Sequence, residues 1–257
     1  MNGTGNLVAL NTIVRREIMR IMRIWTQTLI PPAITMTLYF VIFGKLIGSR
    51  IGQMHGFTYM QYIVPGLVMM SIITNSYGNI SSSFFGAKFS RAVEEMLVSP
   101  MPNWVILLGY VTGAVARGLV VGALVLLIAL FFTDLHVAHP IITFLSVLLG
   151  ATVFSLAGFV NAVFAKKFDD IALVPTFVLT PLTYLGGVFY SVNQLGTPWR
   201  ELSHANPILY MVNAFRYGLL GISDISMAVA YVVMLGFAVV LAVVALTLLD
   251  RGIGLRS

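Results

Sequence analysis

Very few side chains in this 257-residue chain have a type and spacing that could perform chemistry. His136 and His139 stand three residues apart, but no third ligand accompanies them, and we interpret them as loop residues. The chain has no cysteine, which excludes disulfides and thiol catalysis. The patterns G-x-x-x-x-G-K-S/T, H-E-x-x-H and G-x-S-x-G are also absent. We therefore predict no catalytic residue, no metal ligand and no cofactor held by this chain.

A charged segment between two apolar stretches is the part of the chain best suited to contact a partner. It covers residues 84–102 and has helical character, and Pro100 and Pro102 would end the helix. Large apolar side chains trace one face, and charged side chains trace the other: Lys88, Arg91, Glu94 and Glu95. The charged face is either merely solvated or a docking surface for a soluble partner.

The composition places the elements around this segment in a membrane. Hydrophobic residues make up 58% of the chain, charged residues only 9%, and the mean hydropathy is +0.94. These values predict an all-α integral membrane protein. The net charge of +6 comes mostly from basic residues between apolar stretches, where they orient the chain and contact lipid headgroups. No basic patch is interleaved with aromatic residues outside these stretches, so nucleic-acid binding is not expected.

Residues 1–24 are predicted to contain an amphipathic helix. Apolar residues recur at steps of three and four between Leu7 and Trp25, and four arginines occupy the other faces: Arg15, Arg16, Arg20 and Arg23. A basic helix with an apolar stripe just before a membrane span is typical of a helix lying in the membrane interface. The alternative is an ordinary helix packed on protein.

Six membrane spans are expected, at about residues 26–47, 59–81, 113–132, 140–164, 171–190 and 227–249. Pro31 and Pro32 can set a kink between the interfacial helix and the first span. The third span begins late because Arg117 is costly at the bilayer centre and can reach the inner interface instead. Six spans place both termini on one side. Eleven basic residues on that side, including Arg251 and Arg256, against four on the other predict that it is the cytoplasm.

A segment of 36 residues, 191–226, would lie on the outer side before the sixth span. Within it, residues 207–222 are apolar but number only 16, which is too few to cross a bilayer. They predict a re-entrant or interfacial helix. Arg216 interrupts this stretch. Either it caps a helix end or pairs with a nearby group, or it contacts substrate.

Polar side chains inside the expected spans are candidates for a substrate path. The candidates are Asn75, Asn79, Thr176, Thr180 and Thr183. The two asparagines either line the path or hydrogen-bond to a neighbouring helix. The three threonines lie near the two prolines of the fifth span, so they either line the path or satisfy the carbonyls that those prolines free.

Ionisable side chains are nearly absent from the embedded parts of the spans, whereas ion-coupled carriers usually need buried acids or histidines. The energy for moving a substrate would therefore be supplied by a group outside the membrane domain. Residues 84–102 are the natural contact for such a group. The alternatives are an ion-coupled secondary transporter and a lipid-modifying membrane enzyme.

Three stretches resemble a known family: EEMLVSP at residues 94–100, FDDIALVPTFVLTPLTYLGGVFYS at 168–191 and HANPILYMVNAFRYGLLG at 204–221. They closely resemble the membrane permease subunits of ABC-2 type transporters, and the similarity covers essentially the whole chain. In that family an inner amphipathic helix carries a glutamate six residues before a proline, here Glu94 and Pro100.

The resemblance implies an architecture and a set of partners. It implies an elbow helix, six spans, a coupling helix between spans two and three, and a re-entrant helix before span six. It also implies a second permease copy and two copies of an ABC ATPase, which binds ATP-Mg on the cytoplasmic face of a bacterial inner membrane. Glu94, with Arg91 and Glu95 beside it, would contact the ATPase, and the elbow helix would close the same docking site. The transport direction implied is export, with an unidentified substrate.

Overall fold

The computed structural model describes residues 3–255, and these residues are almost entirely helical. The helices are α1 (Gly3–Arg23), α2 (Trp25–Ile51), α3 (Tyr59–Phe89), α4 (Ala92–Val98), α5 (Asn103–Ala129), α6 (Pro140–Phe164), α7 (Phe168–Leu185), α8 (Trp199–His204), α9 (Pro207–Leu220) and α10 (Met227–Arg251). A two-stranded antiparallel hairpin, β1 (Gln53–Met54) and β2 (Phe57–Thr58), joins α2 to α3. The expected all-α class is confirmed. Arg256, which the charge count above includes, lies outside the described residues.

Five of the described helices are long and apolar enough to cross a membrane, namely α2, α5, α6, α7 and α10. They correspond to five of the six expected spans. The helix α3 has 31 residues, which gives a length of about 46 Å, but serines, asparagines and a threonine in its second half lower its hydropathy. The sixth span therefore stays a prediction.

The long helix α3 begins at a capping box and continues past its expected end. The Thr58 side chain accepts a hydrogen bond from the Gln61 backbone N–H, and Gln61 Oε1 accepts one from the Thr58 backbone N–H. The helix runs to Phe89, eight residues beyond the expected boundary at residue 81. The first part of segment 84–102 is thus the last turn and a half of α3.

The break between α1 and α2 lies at Ile24, whose backbone has φ −107° and ψ 31°. Pro31 and Pro32 were expected to set this kink, but they lie inside α2, after its first turn. Each proline removes one amide donor, yet its fixed φ is compatible with the helix, so the helix continues through both residues.

Two segments widen to π-helical geometry within otherwise α-helical spans, Phe40–Ile47 in α2 and Pro175–Leu179 in α7. The second begins at a proline, which cannot donate to the carbonyl of Ile171 four residues earlier. Asn161 Nδ2 of α6 donates to this carbonyl instead, at 3.3 Å. A neighbouring helix thus satisfies a carbonyl that the proline frees, as expected for a proline in a span.

The helix α3 lies at the centre of the bundle, packed against α5, α6 and α9. Small residues permit the close approach of the flanking helices. A Cβ added at Gly158 of α6 would lie 2.6 Å from the carbonyl oxygen of Tyr77 in α3. Only glycine fits there, which agrees with the role of small residues in helix contacts within membranes.

The expected re-entrant stretch forms α9, which has 14 residues and a length of about 21 Å. It is shorter than the hydrocarbon core of about 30 Å, and it packs against α3, α6 and α10. Asn206 caps it by accepting a hydrogen bond from the Ile208 N–H, and Gly221 ends it in the left-handed conformation at φ 73°.

Candidate functional site at the end of the central helix

The segment expected to contact a partner is a short helix set off from α3 by a sharp turn. The turn centres on Arg91, which has a left-handed backbone at φ 61° and whose N–H donates to the Lys88 carbonyl. A positive φ is uncommon for a residue other than glycine. The turn redirects the chain into α4, which ends before Pro100, as the sequence predicts.

The three predicted docking residues all lie on α4 or at its start. Arg91 and Glu95 are exposed, and Glu94 is half-buried. Val93 is fully buried and attaches the helix to the bundle. The structure therefore brings the predicted residues together on a short helix that is anchored by Val93, with Met96 and Leu97 partly buried beside it, and that presents Arg91 and Glu95 outward.

A cavity of about 560 Å³ lies between α4 and the ends of three other helices, α3, α6 and α10. Its walls are the last turn of α3, the start of α4, the loop after α6 and the chain after α10: Phe85, Lys88, Phe89, Arg91, Glu94, Val163, Phe164, Ala165, Lys166, Ile253, Gly254 and Leu255. Phe89 is 67% exposed and Phe164 is 58% exposed. Exposed aromatic side chains with a charged rim are typical of a surface that binds another protein.

Lys88 ties this region to α6 in a way that the sequence did not reveal. Its Nζ donates to the carbonyls of Val163 and Ala165, at 2.6 and 2.8 Å, where α6 ends. A cation at the carboxyl end of a helix satisfies carbonyls that have no intrahelical partner. The Phe168 ring, at the start of α7, lies 4.9 Å from the Phe85 ring. The last turns of α3 are therefore joined to α6 and α7 by specific contacts.

The N-terminal helix α1 packs on α5 through a face that the sequence did not indicate. Ile13, Glu17 and Ile21 are its buried residues, whereas Leu7 and Trp25 of the expected apolar stripe are exposed. The shape of α5 determines which face of α1 packs against it. A Cβ added at Gly109 or Gly113 would lie 2.5 Å from Ile13 or Glu17 respectively, so these glycines form a groove that admits α1.

Glu17 makes a buried contact that the sequence did not reveal. It is 1% exposed, and its carboxylate accepts a hydrogen bond from the Ser83 hydroxyl of α3 at 2.7 Å. Arg16 and Arg20 lie 3.5 and 3.3 Å from its oxygens. The G-x-x-x-G spacing of the two glycines in α5 was the available signal for this docking, because it marks a close helix contact.

The four arginines of α1 divide into two pairs. Arg16 and Arg20 bond to the bundle: Arg16 donates to the Tyr110 hydroxyl although much of its side chain is exposed, and Arg20 donates to Asn79 Oδ1 at 2.8 Å. Arg15 and Arg23 form the exposed pair. Arg23 and Arg20 line a second cavity, of about 410 Å³, with Ser83 and Ala87 of α3. This cavity borders the face of α3 opposite Phe85 and Lys88. The elbow helix and α4 thus flank the same end of α3 from different sides.

Asn79 is fully buried where three helices meet. Its Oδ1 accepts hydrogen bonds from Arg20 of α1 and, at 3.5 Å, from Arg117 of α5. Of the two readings of this asparagine, the geometry agrees with a hydrogen-bonding group between helices. Arg117 lies at the level of α1, which agrees with its expected place near the inner interface.

The other path candidates make local hydrogen bonds. Asn75 donates to the Ser71 carbonyl at 3.0 Å within α3. The hydroxyls of Thr176, Thr180 and Thr183 donate to carbonyls of α7, at 2.7 to 2.9 Å. Thr176 and Thr180 remain exposed and Thr183 is buried. All three threonines therefore satisfy backbone carbonyls, and Thr176 and Thr180 also lie on the exposed surface of the bundle.

Comparison with known proteins agrees with this architecture. The sequence profile of the ABC-2 type transporter family matches residues 8–220. The chain is 61% identical to the inner membrane transport permease YadH of Escherichia coli (strain K12), over 97% of this chain and 98% of that protein. It is 27% identical to nodulation protein J of Sinorhizobium fredii, over 69% of this chain and 68% of that protein. Because the profile covers most of the chain, including α4 and α9, the chain belongs to the ABC-2 type transporter family and is a transporter subunit rather than an enzyme.

Proposed function

We propose that this chain is the permease subunit of an ATP-driven exporter, and that two copies work with two copies of a separate ABC ATPase. The observation that carries the proposal is α4, a short helix with exposed charges beside a cavity that has exposed aromatic rings. ATP-Mg would bind in the ATPase, since the sequence contains no nucleotide-binding motif of its own.

The contacts of this region support a mechanical role. Val93 attaches α4 to the bundle, and Lys88 attaches the end of α3 to the end of α6. A displacement of α4 by a partner would therefore displace α3 and α6 with it. ATP-driven closure of the partner can then bias the bundle between two packings, which is what alternating access requires.

The topology that follows has α3 as the sixth span and both termini in the cytoplasm of a bacterial cell. In this arrangement α1 and α4 lie on the inner side, and α9 lies on the outer side as a re-entrant helix. The name of the Escherichia coli relative supports the inner membrane as the location. The excess of basic residues on the proposed inner side supports the orientation.

A charge reversal on α4 tests the proposal. The chain is co-expressed and purified with a candidate ABC ATPase from the same genome, and nucleotide hydrolysis is measured in lipid nanodiscs. Glu94→Arg is expected to insert normally, as judged by yield and gel filtration, but to lose the ATPase or its regulated hydrolysis. Glu201→Arg is the matched control, since Glu201 is an exposed acid of α8 at the other end of the bundle.

Two results would contradict the proposal. One is an unchanged complex with unchanged hydrolysis for Glu94→Arg, which would remove α4 from the docking site. The other is catalytic turnover of a lipid by the chain alone, which would favour a membrane enzyme.

A further inference from the structure

A cavity of about 430 Å³ lies at the end of the bundle opposite α4. It is bounded by the first turn of α3, the carboxyl end of α9, the loop 221–226 and the start of α10. Tyr62 and Phe89 are at opposite ends of α3. This cavity and the 560 Å³ cavity beside α4, here called the docking cavity, therefore lie about 40 Å apart. Its volume is within the range of small-ligand sites.

Arg216 lines this cavity and is 1% exposed. Its Nη2 donates to the Gly187 carbonyl at 2.7 Å, and its guanidinium carbon lies 4.0 Å from the centre of the Tyr62 ring. Nε and Nη1 donate to no group in residues 3–255, and no carboxylate there lies within ion-pair distance of them. A buried charge is costly unless it is paired, so this guanidinium is suited to an anion from outside the chain.

The amino end of α10 adds a second attraction for negative charge at the same cavity. This helix has 25 residues, and Ser226, its N-cap residue, makes no side-chain capping bond. Ser226 and Met227 line the cavity. The first N–H groups of a long helix have no intrahelical partner, and the helix dipole places partial positive charge there.

Asp224 supplies the opposite charge on the same wall. Its carboxylate is held by the Val192 N–H at 3.2 Å and by Asn193 Nδ2 at 3.4 Å, so it is fixed in place and does not form an ion pair with Arg216. A cavity with one fixed cation and one separate fixed anion discriminates against a ligand that carries only one sign of charge.

We propose that this cavity binds a zwitterionic group, with a phosphate or carboxylate facing Arg216 and the start of α10, and a primary ammonium facing Asp224. The same chemistry occurs in a phosphoethanolamine lipid headgroup and in a small soluble zwitterion. The site lies at the opposite end of the bundle from α4 and shares no residue with the docking cavity.

Native mass spectrometry of the full-length chain in detergent tests the proposal and distinguishes the sources. The probes are phosphatidylethanolamine, phosphatidylglycerol and soluble glycerophosphoethanolamine. Phosphatidylethanolamine is expected to bind about tenfold more tightly than phosphatidylglycerol, because only the former carries the ammonium. Comparable binding of the soluble probe would assign the site to soluble zwitterions, and its failure to bind would assign the site to lipid.

Three variants make the test specific. Arg216→Gln is expected to lose about tenfold or more in affinity for the zwitterion. Asp224→Asn is expected to abolish the preference over phosphatidylglycerol, and because Asp224 is only half-buried this variant should fold even if the first does not. Arg251→Gln is the control, since Arg251 is an exposed arginine at the opposite end of α10. An unchanged preference in Asp224→Asn, or no preference in the unmodified chain, would overturn the proposal.

Discussion

Replacement of Glu17 by glutamine tests whether the N-terminal helix is held to the bundle by its buried carboxylate. The variant keeps the shape of the side chain and removes its charge. The Ser83 hydroxyl then donates to a neutral amide oxygen instead of the charged acceptor at 2.7 Å, so the value of this hydrogen bond falls from about 1.5–3 to about 0.5–1.5 kcal/mol. The ion pairs with Arg16 and Arg20 are also lost, and because both arginines are partly exposed they contribute only about 0.2–1 kcal/mol each.

These losses add to about 1.5–3.5 kcal/mol. They act on the contact between α1 and the bundle, not on the whole fold, so local detachment of α1 is the expected consequence. Trypsin provides the assay, because Arg15 and Arg23 are exposed cleavage sites within α1. If detachment precedes cleavage, the cleavage rate rises roughly tenfold to several hundredfold.

A matched acid outside the contact controls for a general effect of charge. Glu95→Gln changes an exposed carboxylate on α4 and is expected to leave cleavage within α1 unchanged. The cleaved fragments are identified by mass so that only cuts at the α1 arginines are counted. A rate for Glu17→Gln within twofold of the unmodified chain would refute the reasoning and would mean that apolar contacts alone hold α1.

Three further substitutions probe other contacts. Gly113→Leu places a side chain where a Cβ already meets Glu17 at 2.5 Å, so trypsin should cut α1 faster, as in Glu17→Gln. Lys88→Met removes the donor to two carbonyls at the end of α6 and should uncouple nucleotide hydrolysis in the complex, whereas Lys167→Met, at an exposed lysine that does not line the cavity beside α4, should not. Asn161→Leu leaves the Ile171 carbonyl without its partner and should destabilise the chain by about 1–3 kcal/mol, measured by thermal unfolding in detergent. An unaltered melting temperature for the last variant would show that another group satisfies this carbonyl.

The elements set by local pattern could be predicted from the sequence. The apolar lengths of five spans, the proline after α4 and the shortness of α9 are properties of consecutive residues, and the structure agrees with them. The continuation of α3 to Phe89 could not be anticipated in this way. The rise in polar residues after Ser81 indicates where the chain leaves the membrane, but a helix can continue beyond that boundary.

The docking of α1 depends on residues far apart in the chain, and this is why its contact with α5 could not be predicted from the sequence pattern. A glutamate among arginines on an amphipathic helix is normally solvated. Glu17 is buried only because Gly113 leaves room for it and Ser83 donates to it. The same limit applies to Arg216, whose surroundings are contributed by Gly187 and Tyr62.

The length of α3 has a thermodynamic consequence for the two ends of the molecule. One helix contributes Tyr62 beneath Arg216 at one end and Lys88 at the docking cavity at the other. If the ATPase displaces this helix, and the displacement alters the distance between Arg216 and its ligand, then the two binding events share a coupling free energy. That energy is reciprocal: a zwitterion that stabilises one position of α3 must change the affinity for the ATPase by the same factor as the ATPase changes the affinity for the zwitterion.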